Sequence, residues 1–276
     1  MQHFLVPTDF SGAAGRALAT AVQLARPLAA RITLLHAVEL PPTADAAPEV
    51  FVMKLLQAAK DHLQHLLREA AQHAWQTPIQ EITQVAPRRV ALLAAIAQQH
   101  PDVVIIGATC GRGGRAGSTV DWLVRMAPCP VLVVQAPLGP GPVQTVVFPT
   151  DFSALALHAG PMLRGLQVLF PVAVLHVLHV ATAGESPETL REQLALLVQH
   201  QGLAGCELAV VTAPDLRTGI AQFVQHMRAD MLVLRVGAGG IGWLGPGDNL
   251  PAEAAPTLPP VLTFRRENEP AADYSI

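Results

Sequence analysis

The chain has 276 residues, of which 51% are hydrophobic and only 14% charged; at ~100–200 residues per domain this is one large domain or two ordinary ones, and disorder over most of the chain is excluded. A net charge of −3 provides no basic surface for a sequence-independent grip on nucleic acid. Mean hydropathy is +0.36, yet the most apolar stretch, Leu166 to Ala183, is broken by Gln167, Pro171, His176 and His179, so no run of ~20 apolar residues is left to span a membrane.

Taken in chain order, the pattern alternates short apolar runs with amphipathic ones. A first strand is expected over His3–Pro7, then a helix capped by Ser11 and running through Ala25, with Ala17, Leu18, Ala21, Val22 and Ala25 on one face. A second strand, Arg31–Val38, leads into a proline-bearing loop, Glu39–Pro48. A long helix from Glu49 to about Ala74 follows, with Phe51, Leu55, Leu63, Leu66 and Ala70 near one stripe. The third strand is Ile79–Val85, and Pro87 suits the first turn of a helix ending near His100. The fourth strand, Val103–Ile106, opens a glycine-rich loop, Gly107 to Gly117. Ser118 and Asp121 are spaced as a capping box for a short helix, Pro128 and Pro130 stop it, and a fifth strand covers Val131–Gln135. Apolar strands alternating with helices give an open parallel sheet covered on both faces.

The whole pattern is then repeated. Phe4-Leu-Val-Pro-Thr-Asp-Phe-Ser11 returns as Val146-Val-Phe-Pro-Thr-Asp-Phe-Ser153. The block ending strand two around His36 returns around His176, Asp102 before the fourth strand returns as Asp230, and Gly117 with Pro130–Val134 returns as Gly247 with Pro260–Phe264. Four blocks in the same order make an internal repeat. The division is expected at residues 1–135, a Pro/Gly linker 136–142, a second copy 143–264 and a polar tail 265–276. The second copy is the more altered. Pro161 should kink or restart its first helix, Ser186 and Thr189 form a weak cap for its second, and its last helix, near Asp248–Pro256, contains Pro251 and must be short.

The Pro-Thr-Asp-Phe-Ser opening, the histidine closing strand two, Asp102, the glycine loop ending in Gly117-Ser118, and Cys129-Pro130-Val-Leu-Val-Val134, in this order, resemble the universal stress protein family. The resemblance covers both copies. It implies two tandem five-stranded parallel α/β sheets of order 3-2-1-4-5, of the adenine-nucleotide-binding type, packed as an internal pseudo-dimer. That pairing would also hide the apolar edge strands Val131–Val134 and Val261–Phe264.

In such a sheet, ligands lie at the strand C-termini where the order reverses, here between strands one and four. The resemblance places a nucleotide between Pro7-Thr8-Asp9 and the glycine loop. Asp9 would face the adenosine, the main chain at Ala37 would pair with the adenine edge, and Gly107, Gly117, Ser118 and Thr119 match the ends of the family's phosphate loop. Gly111 stands one place later than the family's second loop glycine, and the segment from Gly107 to Gly117 is three residues shorter than the pattern. Losing two or three hydrogen bonds to phosphate, at about 1.5–3 kcal/mol each, would move a micromolar affinity toward millimolar. Arg112 and Arg115 offer guanidinium forks in partial compensation. In the second copy Arg235 replaces the first loop glycine and Asp248 the Ser/Thr, which disfavours phosphate there.

Other signals carry less. Gly237-x-Gly239-x-x-Gly242 follows the wrong strand for a dinucleotide fingerprint, and the Gly111–Ser118 segment lacks the lysine of a Walker loop. His176 and His179 point to opposite faces of a strand, His36 and His176 read as inward residues, and His62, His65 and His73 as a solvated helix face. No residue set marks a metal site or an acid–base pair. Cys110, Cys129 and Cys206 are odd in number and far apart, which suits a reducing compartment. Met1–Val6 lacks the basic start of a signal peptide, so a cytoplasmic location is expected.

The reading that results is a non-enzymatic stress-response protein that binds ATP, with Mg²⁺, or another adenine nucleotide in its first domain as a regulatory ligand. An unidentified protein partner and further homo-oligomers are compatible with it. The residues leave open a nucleotide-free interaction scaffold with vestigial loops and, third, a slow ATPase.

Overall fold

The computed structural model describes residues 2–40, 49–72, 77–108, 118–152, 159–181, 184–236 and 258–265. The chain divides into two compact units, with the boundary after Val134. Unit 1 contains β1 (His3–Thr8), α1 (Gly12–Leu28), β2 (Arg31–Val38), α2 (Glu49–Gln72), β3 (Ile79–Val85), α3 (Arg88–Gln99), β4 (Val103–Gly107), α4 (Ser118–Met126) and β5 (Val131–Val134). Its strands are parallel, in the order β3-β2-β1-β4-β5. Unit 2 contains β6 (Thr145–Pro149), α5 (Gly160–Leu169), β7 (Val174–Ala181), α6 (Pro187–His200), β8 (Glu207–Thr212), α7 (Leu216–Met227), β9 (Met231–Arg235) and β10 (Val261–Phe264). Its order, β8-β7-β6-β9-β10, is the same one, again parallel.

The strands form because they are apolar through and through. Leu5, Val6, Leu34, Leu35, Val104, Ile105, Leu132 and Val133 are buried, as are Val147, Phe148, Leu178, Leu232 and Val233 in unit 2. α1 covers unit 1 with the predicted face, Ala17, Leu18, Ala21, Val22 and Ala25, and Ser11 caps it by accepting the Ala14 N–H. Among the described side chains of α2, the buried ones are Ala59 and Leu63, whereas Phe51 is exposed, so the predicted stripe is narrower than the spacing suggested. Pro87 serves as the N-cap of α3 and not as its first-turn residue. β1 and β4 each run one residue further than expected, to Thr8 and Gly107, and β5 stops one short, at Val134.

Asp102 and Asp230 explain one repeated block. The Asp102 carboxylate accepts the N–H groups of Gln2 and His3 at 2.7 and 3.0 Å, and Asp230 accepts those of Gln144 and Thr145 at 2.8 and 3.0 Å. Each aspartate satisfies two backbone donors where the first strand of its unit begins, at the end of the sheet away from the candidate site.

In unit 2, Pro161 sits in the first turn of α5, in line with a helix that restarts at the proline; residues 153–158 lie outside the described residues. Ser186 flanks α6 without a side-chain cap bond; its hydroxyl donates to Glu188, which corrects the expected pairing with Thr189. The expected helix near Asp248–Pro256, the Gly237–Gly242 segment and the tail from residue 266 lie outside the described residues, as does the loop 41–48. No helix among the described residues is long and apolar enough to cross a membrane.

Candidate functional site

The repeated Pro-Thr-Asp-Phe-Ser segment builds a turn at the C-terminal end of the first strand. Thr8 Oγ1 accepts the Phe10 N–H at 3.1 Å, and Asp9 Oδ1 accepts the Ser11 N–H at 3.1 Å. Phe10 is left-handed, with φ 63°, a conformation that costs a non-glycine residue about 1–2 kcal/mol. Its ring lies 4.3 Å, centroid to centroid, from that of His36, whose Nδ1 donates to the Thr8 carbonyl at 2.9 Å. Unit 2 repeats the threonine, phenylalanine and histidine parts: Thr150 Oγ1 takes the Phe152 N–H, Phe152 has φ 58°, and His179 Nδ1 donates to the Thr150 carbonyl at 2.9 Å under the Phe152 ring. His179, not His176, is therefore the counterpart of His36. His176 is buried elsewhere, with Nδ1 at 3.4 Å from Glu207.

This turn forms one wall of a cleft of about 480 Å³ in unit 1. Six of the expected site residues line it: Pro7, Thr8, Asp9, Ala37, Gly107 and Thr119. Gly111, Arg112 and Gly117 lie outside the described residues; Ser118 opens α4, and its side chain is not among those described. Cys110 and Arg115 also lie outside them. The cleft sits where the strand order reverses, between β1 and β4, and is flanked by the starts of α3 and α4.

Ladder parity decides what Ala37 presents. The Arg31 N–H bonds to Gln2 and the Ile32 N–H to Pro78, so odd residues of β2 face β1 and even ones face β3. Ala37 faces β1, but that ladder ends at the Thr8–His36 pair. The next donor, the Phe10 N–H, has turned to Thr8 Oγ1. The Ala37 carbonyl therefore opens into the cleft as an acceptor.

Asp9 is exposed, and its environment favours the ionised form. Partial burial pushes its carboxyl up, but hydrogen bonds from the Ser11 side chain and backbone, aided by the Arg88 charge, hold it below the usual carboxylate range. Gly107 is needed for a reason not visible in a loop pattern. A Cβ there would stand 2.1 Å from the Ala13 carbonyl oxygen and 2.9 Å from the Ala14 nitrogen. The end of β4 thus touches the first turn of α1.

Sequence reasoning missed Arg88. Its side chain lines the cleft, its N–H donates to Glu39 Oε1 at 2.7 Å, and its guanidinium lies 3.5 Å from Glu39 Oε2. It follows Pro87 at a helix start and belongs to no motif in the sequence. Leu35, Leu92, Ile106 and Val120 line the cleft with apolar side chains, beside His36, and the one-turn spacing of Arg88 and Leu92 was the available signal.

The aligned elements show why unit 2 differs. β7 matches β2 and α7 matches α3 residue for residue in length, so Val180 stands at the Ala37 position, Gly219 at that of Ala91 and Leu216 at that of Arg88. Gly219 is tightly met, with Val180 Cγ1 2.5 Å from a Cβ built there. A larger strand residue is thus accommodated by a smaller helix residue.

The family profile described as the universal stress protein family matches residues 1–135. A universal stress protein from Archaeoglobus fulgidus DSM 4304 superposes with a TM-score of 0.69 at 16% identity, covering 96% of this chain and 98% of that one. A functionally unknown protein from Pseudomonas aeruginosa PAO1 gives a TM-score of 0.61 at 18% identity, covering 97% and 94%. A universal stress protein from Lactobacillus plantarum, 27% identical, covers 49% of this chain and 97% of its own, with a TM-score of 0.41. No curated protein sequence matches. Residues 1–135 thus form a domain of the universal stress protein family, and the second unit repeats its strand order.

Proposed function

We propose that unit 1 binds an adenine nucleotide, ATP with Mg²⁺ as the leading candidate, as the regulatory ligand of a non-enzymatic stress-response protein. The observation that carries this reading is the cleft itself: at the strand reversal it gathers the Asp9 carboxylate, the Ala37 carbonyl and the start of α4 at Thr119. An exocyclic amino group matches the two acceptors, and a helix N-terminus suits phosphate. Arg112 and the rest of the glycine loop would add phosphate donors. Unit 2, with Val180, Leu216 and Arg235 at the matching positions, is proposed to take no nucleotide. A bound ligand would bridge the β2, β4 and α4 sides of the cleft and so present a different surface to a protein partner.

Titration calorimetry with ATP and Mg²⁺ tests this. Saturable binding of one equivalent per chain, lost in Asp9→Ala, is expected. The second reading, a scaffold without nucleotide, is favoured by one observation: packing against Ala13 accounts for Gly107 without any phosphate. An absence of heat at millimolar nucleotide would decide for it.

A further inference from the structure

Resting on the reading of the cleft as an adenine site, we propose that Arg88 is a base-reading residue: its guanidinium donates to the adenine ring nitrogen adjacent to the amino group that the Ala37 carbonyl accepts.

The argument starts from where Arg88 is anchored. The Ala86 N–H bonds to the Val38 carbonyl at 3.2 Å and the Arg88 N–H to Glu39 at 2.7 Å, so the start of α3 is tied to the exit of β2, beside Ala37. The phosphate end of the proposed site begins at Gly107, the last residue of β4. Between β2 and β4 runs β1, so the two regions are two strand spacings apart, about 10 Å. Glu39, at 3.5 Å from the guanidinium, holds it on the β2 side. Arg88 therefore belongs to the base end of the cleft and not to the phosphate end.

The chemistry at that end is complementary to one base. Adenine presents an amino donor next to a ring-nitrogen acceptor on a single edge. The Ala37 carbonyl supplies the acceptor, and Arg88, a donor only, supplies the partner for the ring nitrogen. A base with a carbonyl oxygen in place of the amino group would set that oxygen against the Ala37 carbonyl. Unit 2 supports the assignment from another side. Leu216 begins α7 at the Arg88 position and is 50% exposed, so the helix start itself has no need of a cation. The cation is present in unit 1 and absent from unit 2, where Val180 replaces Ala37.

The experiment measures adenosine, inosine and ATP binding to the full chain and to Arg88→Leu, the residue unit 2 uses, with thermal melting to confirm folding. Wild type should bind adenosine and ATP and bind inosine at least tenfold more weakly. Arg88→Leu should melt near the wild-type temperature and lose about tenfold or more for adenosine and ATP alike, as expected for one charged hydrogen bond. An unchanged affinity, or a loss confined to ATP, overturns the proposal, the latter by making Arg88 a phosphate ligand. If wild type itself binds neither adenosine nor ATP, the parent reading of the cleft fails first.

Discussion

Gly107 approaches the carbonyl of Ala13 so closely that no other residue fits: a Cβ would lie 2.1 Å from that oxygen. The contact holds the end of β4 against the first turn of α1, both of which line the cleft. Gly107→Ala must push two backbone segments apart. A loss of about 1–3 kcal/mol or more is expected from overpacking, read by denaturant unfolding, with weaker nucleotide binding. A variant as stable as wild type would show that α1 and β4 can separate freely.

Val180 and Gly219 form the corresponding tight contact in unit 2, with Val180 Cγ1 2.5 Å from the space a Cβ would take. Unit 1 has Ala37 and Ala91 at these positions. Gly219→Ala alone should destabilise by about 1–3 kcal/mol. Combined with Val180→Ala, which reproduces the unit 1 pair, much of that loss should return as a favourable coupling in a double-mutant cycle. Strictly additive losses would contradict the exchange of volume between strand and helix.

Asp9 gives a pH signature. Its carboxyl is held below the usual range by Ser11 and Arg88, against the upward push of burial. A depressed folded-state value means that ionised Asp9 stabilises the fold above the unfolded value, about 3.9, and that this contribution is lost as pH falls through the folded one. Asp9→Asn should therefore be less stable than wild type at neutral pH, and the gap should close below about pH 4. A gap independent of pH would remove the charge from the account.

Cys129 should be chemically quiet. Burial pushes its thiol up to about 11, so almost none is thiolate at neutral pH, and the thiolate is the nucleophile. Iodoacetamide at pH 7.5 followed by mass spectrometry should label Cys129 far more slowly in the native protein than after unfolding. Equal rates would mean that the residue is not buried as described.

The strands and most helix positions were legible because they rest on local signals: doubly buried apolar runs, the Ser11 cap, and the spacing of Ala17, Leu18 and Ala21; the strand order came from the family resemblance alone. The doubled histidine of β7 was not resolved, since Leu-His occurs at both 175–176 and 178–179. The bond from His179 to the Thr150 carbonyl and its contact with the Phe152 ring select the counterpart of His36. The role of Gly107 depends on α1, which is remote in sequence, and Arg88 joins the cleft through Glu39, 49 positions away. Local reading found the residues on strand ends and missed those that reach the site through a tertiary contact.

A co-crystal structure with a non-hydrolysable ATP analogue and Mg²⁺ tests the central claim most directly. The account predicts one nucleotide per chain, its base against the Ala37 carbonyl and Asp9 in unit 1 and its phosphates toward Thr119. A nucleotide in unit 2, or an empty unit 1 cleft at saturating ligand, would contradict it.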